Sequence, residues 1–273
     1  MLQLLKIELR RAIKNKYLFI SISIGCLISV THVLQNILPL TQYLSDTGDY
    51  GIPPHSVFNK WIGGEVMTLQ PSMFFILFPI LACLPFSDTY YTDRKSGYIK
   101  NVFIRTKKIN YYVAKYIAAF ISGGVSVIVP LLLNLMLTAM VLPSILPDPS
   151  TGFFSIFSNS MWCDIFYSDP YLYIFMYLAI DFVFAGLFAA ISLVFSDIVT
   201  NRFFVILAPF IVYIFIFTFC NLIGHNKYNP FVFLNPTQQT VGITFSFIFS
   251  VMMITWVLSK MIFVIRGIKS ETF

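Results

Sequence analysis

Charge is scarce in this sequence: Lys, Arg, Asp and Glu together make up 11% of its 273 residues, against about 25% in a soluble domain. Apolar residues make up 58% and the mean hydropathy is +0.80, so water is not the principal solvent. No polar stretch is long enough to enclose a core of its own, which leaves one membrane domain over residues 1–273 as the economical reading. Catalytic signatures are missing as well. No glycine is followed by lysine, which removes the phosphate-cradling pattern GxxxxGK[ST]. There is no HExxH, GxSxG or CxxC. The three histidines, His32, His55 and His225, are too scattered to suggest a metal centre. Of the four cysteines, Cys26, Cys83 and Cys220 fall in apolar runs and only Cys163 in a polar connection, so neither a disulfide framework nor a zinc site is indicated. The chain therefore reads as non-enzymatic, with no catalytic, metal or cofactor-binding residue of its own.

What is abundant is long apolar sequence. A spanning helix needs roughly 20 predominantly apolar residues to cross about 30 Å of hydrocarbon while satisfying its own backbone. Six windows qualify: 17–38, 72–87, 112–142, 171–196, 203–223 and 241–265. The fold expected is an all-α integral membrane protein of six spans. The second window is the shortest and holds Pro79 and Pro85, which predicts a kink whose freed carbonyls are satisfied by neighbouring helices. The first window has no small-residue cleavage signal after it and is too long for a signal-peptide core, so it is expected to be retained.

Lysine and arginine set the orientation, because basic loops stay on the cytoplasmic side. With the N-terminus inside, 16 of the 18 basic residues are cytoplasmic or at that boundary, leaving only Lys60 and Lys227 outside. The connection 143–170 carries Asp148, Asp164 and Asp169 and no basic residue, as an external loop would. An even number of spans returns the C-terminus to the cytoplasm. The net charge of +6 then reflects topology and anionic-lipid contact, and nucleic-acid binding is excluded.

Two segments stand out outside the spans. Residues 2–16 form an amphipathic helix pattern, with Leu2, Leu5, Leu9 and Ile13 on one face and Lys6, Arg10, Arg11 and Lys14 among its cations. Such a helix lies in the headgroup plane, either as a simple anchor or as an elbow that also touches a cytoplasmic partner. The segment 88–108, DTYYTDRKSGYIKNVFIRTKK, joins the second and third spans on the same side. From Gly97 its polar and apolar residues alternate at helical spacing, Tyr98, Val102 and Phe103 against Lys100, Asn101 and Arg105. It is either a solvated basic loop or a short helix parallel to the membrane that presents those residues to another protein.

The run Asp93-Arg94-Lys95-Ser96-Gly97-Tyr98, followed by 99–105 and a span beginning after Asn110, resembles the acidic-Arg-x-x-Gly-Thr stretch of type 2 ATP-binding-cassette exporter permeases. Asp93 stands where that family has Glu and Tyr98 where it has Thr. The resemblance extends to layout: a basic amphipathic N-terminus, six spans, a wide first external loop, and Asn235-Pro236 before the last span. It implies that Asp93, Arg94, Lys95, Ser96, Gly97, Tyr98, Lys100, Asn101 and Arg105 form a coupling helix docking on a separate cytoplasmic ATPase, which would hold the ATP and Mg. It also implies a second membrane subunit, a copy of this chain or a paralogue, and a re-entrant segment near 224–240. Relatives of this layout export peptides, drugs, lipids or polysaccharides, or confer immunity to antimicrobial peptides. Short external loops favour a peptide or small amphiphile. Richness in Phe, Ile, Lys and Asn points to an AT-rich bacterial genome and a bacterial plasma membrane. The competing reading is an ion-driven secondary transporter or channel, which predicts several intramembrane charges or an inverted repeat between halves; the sequence offers one intramembrane carboxylate.

That carboxylate is Asp181, near the middle of the fourth window, and it faces either a pathway or a structural hydrogen-bond partner. Ala114, Ala118, Ser122 and Ser126 recur every four residues beside Gly123 and Gly124, the pattern of a close helix-packing seam within the subunit or between two. His32 reads as a hydrogen-bonded interior histidine. Trp61 and Trp162, in the external connections, read as interfacial anchors or as part of an external cap.

Overall fold

The computed structural model describes residues 1–43, 55–151, 154, 156–196, 199 and 201–269. Among them the secondary structure is helical throughout, with no strand. The N-terminal helix α1 (Leu2–Ile13) turns at Asn15 into α2 (Lys16–His32), which continues through a π turn (Val33–Ile37) and a 3-10 stretch (Leu38–Tyr43). Asn15 makes the turn: its side-chain oxygen caps Tyr17 N–H and its amide donates to the Pro85 carbonyl, pinning the elbow to the end of the next apolar helix. The short α3 (Val57–Lys60) leads to α4 (Leu69–Cys83). Two short helices, α5 (Thr89–Lys95) and α6 (Tyr98–Arg105), hinge on Gly97 at φ +74°, a left-handed conformation that glycine adopts without steric cost. The longest helix, α7 (Lys108–Val141), has 34 residues and so runs about 51 Å. Then come α8 (Cys163–Ser168), α9 (Pro170–Phe195), α10 (Arg202–Leu222), α11 (Pro230–Leu234) and α12 (Phe245–Lys269).

Among the described residues five helices are long and apolar enough to cross a membrane: Lys16–Gln42, α7, α9, α10 and α12. Six were expected. The second window forms α4, which has only 15 residues, about 22 Å against a hydrocarbon thickness of about 30 Å. The last window starts four residues late, because Gly242 at φ +85° holds the chain in a turn before Phe245. The four cysteines are unpaired.

Proline positions show how a buried bundle keeps its backbone satisfied. A proline lacks the N–H that would bond the carbonyl four residues earlier. Opposite Pro79 that carbonyl is Phe75, which accepts from the Tyr213 hydroxyl on α10 at 2.8 Å. Opposite Pro85 it is Leu81, which accepts from Ser21 on α2 at 2.7 Å and Ser126 on α7 at 2.9 Å. Opposite Pro209 it is Val205, which accepts from Ser192 on α9 at 2.6 Å. Three orphaned carbonyls are thus served by hydroxyls from neighbouring helices, so each proline also fixes which helix lies alongside.

At the centre, α7 packs along α9 through small residues. A Cβ at Gly123 would stand 2.7 Å from the Ala189 Cβ and 2.9 and 3.0 Å from the Ala82 and Ala185 carbonyls, and one at Gly124 would enter the Phe182 ring. Ala118, Ser122 and Ser126 are buried on this face. The close approach lies within one chain, between α4, α7 and α9. At the end carrying 143–170, Trp61 is 1% exposed and packs in an aromatic cluster with Phe58, Phe154, Phe166 and Tyr173. Gln238 binds both the N–H and the carbonyl of Met161 and donates to the Tyr173 hydroxyl, so segment 229–243 folds back onto α9.

Candidate functional site

The opposite end, built from α1, α5, α6 and the first turns of α7, holds four charges in one contact. Glu8 and Lys115 have fully buried side chains and Asp93 is 4% exposed, while Arg11 closes the cluster at 34%. Arg11 binds Asp93 through both Nη atoms, at 2.7 and 3.2 Å, and Glu8 at 2.8 Å. Lys115 Nζ lies 2.7 Å from Asp93 Oδ2 and 3.2 Å from Glu8 Oε2. The Tyr111 hydroxyl donates to Asp93 Oδ2 at 2.8 Å. Two cations and two carboxylates cancel, and each carboxylate touches both cations.

Such an arrangement follows from what burial demands. An isolated buried charge costs several kcal/mol even after relaxation, so buried charges persist only when paired and hydrogen-bonded. Aromatic faces complete the shell: Arg11 lies 4.7 Å from the Tyr98 centroid and Lys115 4.4 Å from that of Phe86. Around it Ile99 and Val102 of α6, Tyr111 and Tyr112 of α7 and Phe263 of α12 pack as a second apolar core. Gly267 lets α12 close on the Tyr112 ring, where a Cβ would stand 2.3 Å from the ring carbons.

Burial alone would raise the Asp93 carboxyl, but the hydrogen bonds and charges of Arg11 and Lys115 outweigh it and hold the group below its ordinary value. A carboxylate with a depressed folded-state value contributes stability that is full above its unfolded value, about 3.9, and is lost as the pH falls through the folded one. Docking of α1 on α5 and α7 is therefore expected to hold from neutral pH to about pH 5 and to loosen below about pH 4. Hydrogen exchange of the α1 amides in detergent against pH checks this; protection unchanged well below that range would mean that apolar contacts alone hold α1.

Sequence reasoning found part of this cluster. Arg11 was expected beside Lys6, Arg10 and Lys14 on a basic outer face; those three are exposed, but Arg11 turns inward. The buried face of α1 is Leu4, Glu8 and Ala12, a rotation from the expected apolar face, and Leu2 and Ile13 are exposed. Glu8, Tyr111 and Lys115 were not singled out. The available signal was Glu8 as the one acid of α1, three residues before Arg11, and Lys115 as a lone charge two turns into a span. Of the segment 93–105, Asp93 is buried, Tyr98 is half-buried, and Arg94, Lys95, Ser96, Lys100, Asn101 and Arg105 are exposed together with Ile104 at 83%. The outer face of the α5–α6 pair is thus basic with one protruding apolar side chain.

Asp181 sits elsewhere, fully buried on α9, with neither carboxylate oxygen hydrogen-bonded among the described residues. His32 is also fully buried; its Nδ1 lies 3.1 Å from the Asn134 amide, whose oxygen accepts from the Ile62 N–H. Among the described residues no group of three His, Cys, Asp or Glu is placed to hold a metal ion. Compared with known proteins, the chain matches no family model, no curated protein and no solved structure.

Proposed function

We propose that this chain is the permease subunit of an ATP-driven exporter. In this reading α4 is a short sixth span, both termini lie on the cytoplasmic side of a bacterial plasma membrane, and the exposed face of α5 and α6 docks on a separate ATPase that holds ATP and Mg. A second membrane subunit, a copy or a paralogue, encloses the pathway. The cargo is a peptide, drug-like molecule or other small amphiphile, in keeping with export or immunity to antimicrobial peptides.

The observation that carries the reading is the four-charge contact among α1, α5 and α7. A partner pushing on α5 and α6 cannot separate Asp93 from Lys115 and Arg11 without stranding buried charges, at a cost of several kcal/mol. The displacement is therefore passed as a rigid movement to the longest helix, which reaches the far end of the bundle. Work of this kind needs no catalytic group in the chain.

The test is affinity purification in mild detergent with mass spectrometry of co-purifying proteins and an ATPase assay. The wild type is expected to bring down an ATPase with vanadate-sensitive turnover. Charge reversal at Arg94 and Lys95 combined with Gly97→Trp is expected to abolish that recovery while membrane insertion persists. Both cations are exposed, and a Cβ at Gly97 meets nothing within 4 Å. Undiminished recovery with the triple variant would place the docking surface elsewhere. Recovery of the chain alone from every detergent would favour the second reading, an ion-driven transporter, for which the mid-span Asp181, whose oxygens have no hydrogen-bond partner among the described residues, is the specific observation.

A further inference from the structure

Beside the charge cluster, between α5 and the start of α10, lies an open cavity of about 720 Å³. Tyr91, Thr92, Lys95 and Ser96 line one side, Asn201 and Arg202 the other. Hydroxyl, amide, ammonium and guanidinium groups converge there, and among the described residues no carboxylate does. Arg202 is fixed in position: its Nε pairs with the buried Asp88 carboxylate, and its guanidinium lies 4.8 Å from the Tyr17 ring centroid. With Nε on Asp88 and a further hydrogen bond to Tyr17, the five N–H donors of the guanidinium still leave some for a ligand.

Two features narrow the ligand. The first is charge. Among the described residues Lys95 and Arg202 bring two positive charges to the lining, and Asp88, behind Arg202 and outside the lining, offsets one, which leaves a single net positive charge, the complement of one phosphodiester and a poor match for a multiply charged nucleotide. The second is the adjoining surface. Phe203 and Phe204, directly after Arg202, are 64% and 54% exposed, and Phe19 and Ile20, just beyond Tyr17 on α2, are exposed too. A polar cavity bordered by bare aromatic and aliphatic side chains at the ends of two candidate spans suits a molecule with an anionic head and apolar chains.

We propose that this cavity binds the phosphodiester headgroup of an anionic membrane lipid, with its acyl chains against Phe203, Phe204 and the start of α2. Because Tyr91 to Ser96 belong to α5 and the hinge before α6, the bound headgroup braces that segment against α10. The assignment requires only that the chain spans a bilayer and stands whether or not an ATPase docks.

The experiment is native mass spectrometry of the full chain after reconstitution with phosphatidylcholine and phosphatidylglycerol in equal amounts. The wild type is expected to retain phosphatidylglycerol selectively. Lys95→Gln is expected to lower that retention about fivefold, the effect of one basic residue at an anionic membrane surface, and Lys227→Gln, at the opposite end, to leave it unchanged. Lys95 is exposed, so this variant is expected to keep its fold; circular dichroism checks it. Thr92→Val supplies an independent reduction without a charge change. Equal retention of the two lipids by the wild type, or retention by Lys95→Gln and Thr92→Val at the wild-type level, overturns the proposal. Glycerol phosphate added in excess distinguishes the source: an adduct that survives it supports a lipid headgroup, and one displaced by it assigns the cavity to a soluble phosphate and overturns the lipid assignment.

Discussion

Replacing Lys115 by methionine is expected to be the most damaging single change at the charge cluster, costing about 3–5 kcal/mol. Methionine fills the space along the same path, so little packing is lost; what is lost is the one fully buried cation touching both Glu8 and Asp93. Arg11 alone then faces two carboxylates, one of them fully buried. The double variant Glu8→Gln/Lys115→Met restores neutrality around the remaining Arg11–Asp93 pair and is expected to recover much of the loss. Thermal unfolding of the purified chain in detergent, read as a double-mutant cycle, measures the coupling. Additive losses in the two single variants would show that Glu8 and Lys115 do not act as a unit and would remove the physical basis for transmission through α7.

The second large effect is expected at Gly123. Gly123→Val should destabilise the bundle by at least the 1–3 kcal/mol typical of overpacking, because two of the three atoms its Cβ would meet are backbone carbonyls of α4 and α9 that cannot rotate away. Pairing it with Ala189→Gly removes only the third contact and is expected to rescue it in part. Gly97→Ala is the instructive contrast. A Cβ there meets nothing within 4 Å, so its cost is that of a left-handed backbone alone, about 1 kcal/mol. The fraction of each variant that stays monodisperse after heating should rank them Gly97→Ala above Gly123→Val. The reverse order would mean that α7 and α9 separate more easily than their contacts imply.

Several of these features could be read along the chain. The long apolar helices came from run length, and the helix after Gly97 from its alternating polar and apolar residues, whereas α5 and the left-handed hinge at Gly97 came only from the structure. The prolines announced that neighbouring helices would serve their orphaned carbonyls. The sequence did not say which neighbours: Tyr213 is 138 residues from Phe75, and Ser126 is 45 from Leu81. Arg11 illustrates the limit more sharply. It stands among the cations Lys6, Arg10 and Lys14, and its one local mark, Glu8 three residues earlier, does not say which way the pair points; it turns inward because Asp93, 82 residues away, lies beneath it. Lys115 resembled a boundary cation and is instead enclosed by Glu8 of α1, Asp93 of α5 and Phe86 of the turn between α4 and α5.

Composition and run length by themselves determined that the chain is helical and membrane-embedded, because lipid leaves the backbone no partner but itself and that demand is met locally, residue by residue. They also set where the basic residues gather, since each charge is costly in hydrocarbon wherever it falls. Only the tertiary structure decided that α4 is too short to count as a long span, that the small residues of α7 meet α9 in the same chain, and that four charges close on one another beneath α5. Those outcomes depend on pairings between distant segments. A buried charge is stable only with its counter-charges around it, and which residues those are is fixed by how the helices pack.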